Sequence, residues 1–116
     1  MLEITVCVNP DGCLGRKILA RRDEGEELRE YGPREILGVL RDIIRDGGLE
    51  EEVRLQEKVC LWGCTFGPRI DVVKGETRVY LYGREDYRGP ISVRGKVEIK
   101  GIPNLPSLRS IIYDHL

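Results

Sequence analysis

Apolar side chains fall into a few short segments of this chain, with turn-forming residues between them. Residues 2–8, LEITVCV, are rich in β-branched and aliphatic side chains and read as a buried strand. The NPDG sequence at 9–12 follows with strong turn chemistry. After Pro33 the period changes. Ile36, Leu37, Leu40, Ile43 and Ile44 recur at helical spacing, Pro33 suits a first helical turn, and Gly47–Gly48 supplies the stop. Residues 52–58, EVRLQEK, alternate like a strand and deliver the chain to Cys60. RIDVV at 69–73, a KGE turn and TRVYLYG at 77–83 predict a β-hairpin. Near the end, Leu105, Leu108, Ile111, Ile112 and Leu116 share one helical face behind Pro106, which predicts a closing helix.

Two segments fit less directly. Residues 16–31, RKILARRDEGEELREY, match a solvated hairpin turning at Asp23–Gly25 slightly better than a broken polar helix. Residues 84–101 end in GPISVRGKVEIKG, which has room for another short strand pair. There is no internal repeat, low-complexity tract or linker, and 116 residues make one domain. The resulting order is strand, insert, helix, strand, loop, hairpin, insert, helix. It predicts an α/β (α+β) fold, a mixed sheet with helices packed on it. That is the thioredoxin-like arrangement, although other α/β folds can be drawn from the same order.

Composition narrows the function classes. Nineteen basic residues against twenty acidic give a net charge of -1, without the global signature of a nucleic-acid binder. The charged fraction is 34%, with arginine well ahead of lysine, which points to a thermophilic source. No apolar stretch approaches the ~20 residues that cross a bilayer. The opening MLEITVCV carries Glu3 and no basic lead, so a cytoplasmic protein without membrane insertion is expected. Reduced thiols are the cytosolic norm, so four cysteines point to metal binding or redox work. The intracellular disulfides of hyperthermophiles are the exception.

The four are Cys7-x5-Cys13 and, forty-six residues later, Cys60-x3-Cys64. Each pair lies where a predicted strand runs into a loop, so a sheet that aligned those strand ends would gather all four sulfurs at one edge. A two-iron cluster takes four thiolates, and the count leaves none over. Gly12, Gly15, Gly63 and Gly67 would let the backbone fold closely round such a cluster, or simply make turns. Zinc ribbons favour a two-residue gap, a Rieske centre needs two histidines where this chain has only His115, and a thioredoxin-type dithiol needs Cys-x-x-Cys. Zinc on four cysteines, disulfides 7–13 and 60–64, and plain core packing stay open beside the cluster.

Taken together, the Cys-x5-Cys after a first strand, a long helix ending in Gly-Gly-Leu, CLWGCTFGPRIDVV and a final DHL resemble the thioredoxin-like [2Fe-2S] ferredoxins. The same domain is the small peripheral iron–sulfur subunit of NADH dehydrogenases. The resemblance covers most of the chain as a single ferredoxin domain, 1–116, with insertions at 16–31 and 84–101. It implies that Cys7, Cys13, Cys60 and Cys64 ligate one [2Fe-2S] cluster, the first pair on one iron and the second on the other. It also implies one-electron transfer between redox partner proteins, and often a homodimer. This chain departs from the family in the spacing of its first pair, and in Trp62 where a small residue is common.

Elsewhere the bland accounts suffice. His115 reads as a surface or helix-capping residue, and Trp62 as a shield for a cluster or an anchor for its loop. The acidic clusters at 23–27 and 50–52 fit solvated faces better than a dock for a basic partner. Tyr80, Tyr82 and Tyr87 fit packing on or beside the hairpin. No serine–histidine–acid set or phosphate-binding glycine loop is present, so a stand-alone enzyme is not expected.

Overall fold

A computed structural model describes residues 1–8, 17–58, 69–75, 78–83, 97–102 and 105–116, and within 78–83 and 97–101 the backbone alone. The first strand, β1 (Leu2–Cys7), alternates as its sequence requires. Leu2, Ile4 and Val6 are buried in the main core, while Glu3 and Thr5 are half-covered on the other face. Residues 16–31 contribute the predicted hairpin: β2 (Ile18–Ala20) pairs antiparallel with β3 (Arg29–Tyr31). Gly25 in the turn has φ 83°, a left-handed conformation that glycine adopts without a Cβ penalty.

The long helix α1 (Pro33–Asp46) starts and stops where the sequence predicts. Glu35 Oε1 accepts the N–H of Gly32 at 3.1 Å, and Pro33 stands in the first turn, where its missing N–H costs nothing. At the other end the N–H of Gly47 donates to Ile43 and that of Leu49 to Ile44, and Gly48 takes φ 64°. Ile36, Leu37, Leu40, Ile43 and Ile44 are all buried. Each contributes about 1.5–3 kcal/mol relative to an exposed position.

Four further strands follow, β4 (Val53–Lys58), β5 (Ile70–Lys74), β6 (Arg78–Gly83) and β7 (Val97–Gly101). Among the described residues they form with β1 a five-stranded mixed sheet in the order β4-β1-β5-β6-β7. β1 runs parallel to β4 and antiparallel to β5; β5 and β6 form the predicted hairpin; β7 lies parallel to β6. Of the strand pair expected within 84–101, the described part is β7 alone, and residues 84–96 lie outside the described residues.

The closing helix is shorter than its sequence pattern predicts: α2 covers only Ser110–Tyr113. Tight three-residue closures replace helical ones at its start, with Ile111 N–H donating to Leu108 and Ile112 N–H to Arg109. Leu108, Ile111 and Ile112 still reach the core. Leu116 does not; it is 44% exposed, because the helical period ends before it.

Candidate cysteine site

Cys7 is the last residue of β1, and the sheet fixes what surrounds it. In the parallel register it stands opposite Lys58, the last residue of β4. The next N–H, from Val8, donates to the Lys58 carbonyl at 2.9 Å, so the two strands remain joined to their very ends. On its other side the N–H of Cys7 donates to the carbonyl of Arg69 at 3.0 Å, one residue before β5 begins. Three chain segments therefore meet at one edge of the sheet: the exit of β1, the exit of β4 and the entry to β5. The segment 59–68, with Cys60 and Cys64, runs between the last two, and the segment 9–16, with Cys13, leaves the first.

Alternation along β1 sets Cys7 on the face of Glu3 and Thr5, opposite the face that carries Leu2, Ile4 and Val6. Even so, its exposure is 0%. Arg69, its cross-strand neighbour, is 2% exposed, and its guanidinium is held in a fork by Asp71. Nε donates to Oδ1 at 2.8 Å and Nη2 to Oδ2 at 3.2 Å, the bidentate geometry that fixes arginine against a carboxylate. The sequence reading missed this pair, taking RIDVV simply as a strand. Its signal was present in the spacing, since residues two apart on a strand share a face.

Cys13, Cys60, Cys64, Trp62 and the loop glycines Gly12, Gly15, Gly63 and Gly67 lie outside the described residues. Among the described residues no group of three or more His, Cys, Asp or Glu side chains is placed to hold a metal. Of the two readings of His115, surface or helix-capping, the surface one does not hold. His115 is 4% exposed, and with Leu2, Glu51, Glu52 and Lys74 it lines a cavity of about 370 Å³. The acidic stretch 50–52 is exposed, and Asp23 lies 3.5 Å from Arg109 Nε. Among the described residues no helix is long and apolar enough to cross a membrane.

The described fold is thus an α+β protein with a mixed sheet and a cysteine-bearing edge. Comparison with protein-family models, curated proteins and solved structures finds no match for this chain.

Proposed function

We propose that this chain is a thioredoxin-like [2Fe-2S] protein that carries single electrons between redox partner proteins, with Cys7, Cys13, Cys60 and Cys64 as the cluster ligands. The observation that carries the reading is the parallel alignment of Cys7 with Lys58. Cys60 is only two residues past Lys58, a reach of at most about 7 Å, and paired strands lie about 4.8 Å apart. The alignment therefore supports a shared site for Cys7 and the segment that begins after Lys58. The β1–α1–β4 crossover followed by the β5–β6 hairpin and α2 supports the thioredoxin-like part of the proposal.

The type of donor supports the reading. Thiolates are the donors that iron–sulfur clusters require, and Cys7 sits in a buried position anchored by hydrogen bonds on both sides of its strand. A bound cluster supplies a one-electron couple. The chain's own contribution is to hold Cys7 in a strand, keep water from its side chain and end β4 beside it at Lys58. In this role the protein is an electron carrier rather than a stand-alone enzyme.

The test is anaerobic purification or reconstitution with iron and sulfide, followed by metal analysis and visible spectroscopy. Two irons per chain with visible absorption bands are expected. Protein that stays colourless and iron-free overturns the reading. One zinc per chain, or thiols that become countable only after reduction, would replace it with a non-redox binding or scaffold protein.

A further inference from the structure

Among the described residues β4 has one neighbour in the sheet, β1, and its other side is the edge of the sheet. The N–H groups of Leu2 and Val8 donate to the carbonyls of Glu52 and Lys58, so the even-numbered residues of the strand bond toward β1. Leu55 and Glu57 therefore turn their backbone N–H and C=O groups to the outer side. Beside this edge, on the α1 face, lies a groove of about 350 Å³ lined by Arg41, Ile44, Arg45, Glu50, Val53 and Leu55. We propose that the β4 edge is an interface between two copies of this chain, paired antiparallel about a two-fold axis at Leu55. The inference is independent of the [2Fe-2S] reading.

The order of charges along the strand names the occupant. Outward bonding at Leu55 and Glu57 allows only registers that oppose odd-numbered residues to odd-numbered ones. With Leu55 opposite Leu55 of the second copy, Glu52 meets Lys58 at both ends, Arg54 meets Gln56, and no like charges are opposed. Moving the centre one residue toward Lys58 sets Arg54 against Lys58. Moving it one residue toward Glu52 sets Arg54 against Arg54 and Glu51 against Glu57. Like charges directly opposed destabilise a strand pair and opposite ones favour it. Charged edge strands guard against indiscriminate pairing, and here the guard leaves one register open. The groove supplies a second match. Val53, on its wall, stands opposite Glu57 of the second copy in that register, and Arg41 lines the same wall. Neither Arg41 nor Glu57 enters an ion pair among the described residues, so the pairing gives each a partner of opposite charge. The two half-buried Leu55 side chains meet at the axis.

Sedimentation analysis of the purified chain tests this, for wild type, K58E, E52K and the double variant E52K/K58E, with circular dichroism on each. Wild type should be a dimer at about 100 μM. Each single reversal turns two attractive pairs into repulsive ones and should raise the dimer dissociation constant about tenfold. The double variant restores both pairs in inverted form and should return to within about threefold of wild type. If one single variant does not fold, the other and R41E, which should also weaken the dimer, carry the test. Monomeric wild type overturns the proposal. So does a dimer indifferent to the single reversals, or one that the double variant does not restore. Iron content enters none of these outcomes, so failure here leaves the cluster reading standing.

Discussion

The N–H of Leu108 donates to the carbonyl of Arg21 at 2.6 Å, joining the C-terminal segment to the turn of the β2–β3 hairpin. Arg109 adds to the joint, its Nε 3.5 Å from Asp23 and its guanidinium over the ring of Tyr113. Ile18, Ala20 and Tyr31 of the hairpin are buried in the same core as α1. Ile18→Ala should therefore cost about 2–4 kcal/mol in denaturant unfolding. The exposed neighbour Leu19 should tolerate the same change to within about 0.5 kcal/mol. Equal, small effects at both positions would show that the hairpin does not share the core.

Removing single thiols tests the ligand set. Cys60→Ser or Cys64→Ser should abolish the visible bands and most of the bound iron, and Cys7→Ser should do the same. A Cys13→Ser protein that keeps two irons per chain would remove Cys13 from the set. Circular dichroism on each variant separates loss of metal from loss of fold.

The end of α1 offers a backbone test. Gly48 has φ 64°, and a Cβ there costs about 1–2 kcal/mol. Gly48→Ala should lower the thermal midpoint accordingly. At Gly47 the obstacle is contact rather than dihedral angle. An added Cβ would come within 2.7 Å of the Tyr113 hydroxyl and 3.3 Å of the Ile43 carbonyl oxygen. Gly47→Ala should thus be less harmful in a Tyr113→Ala background, a coupling that a double-mutant cycle would measure.

Stability of the metal-free protein probes the buried ion pair independently of any cluster. Asp71→Ala removes the two-bond fork that holds the buried Arg69 guanidinium, which should cost about 3 kcal/mol. Replacing both residues by apolar side chains of similar volume should cost much less, since both desolvation penalties vanish. A double variant as unstable as the single one would mean that Arg69 is anchored chiefly by other contacts.

How far the sequence reading reached depended on how local each cause was. Helix α1 was legible because its period, Pro33 and the Gly47–Gly48 stop all act within a few residues. The strands β1, β4 and β5 were legible to within a residue at either end, from β-branched content, alternation and turn residues respectively. The closing helix was overestimated because an apolar face needs only buried positions, and tight turns can bury Leu108 and Ile111 as well as a helix can. The burial of His115 was not anticipated, because the N-terminal strand and the 51–52 turn that line the same cavity are distant in sequence. At the cysteine edge the reading required neighbouring strand ends, and the β1–β4 register aligns Cys7 with Lys58, while the two loops themselves lie outside the described residues. The Arg69–Cys7 neighbourhood was not, because it depends on which strand lies on the other side of β1.

The place of β1 between β4 and β5 also sets an order of events during synthesis. Its neighbours are residues 53–58 and 70–74, so β1 has no partner in the sheet until about fifty further residues have been made. Contacts that distant in sequence slow folding, because a long loop must close before any pairing is gained. Cys7 thus leaves the ribosome as an open thiol on an unpaired segment and is enclosed only when β5 arrives. If iron is loaded at this edge, loading is a late step, and the nascent chain must keep its first cysteine reduced until then.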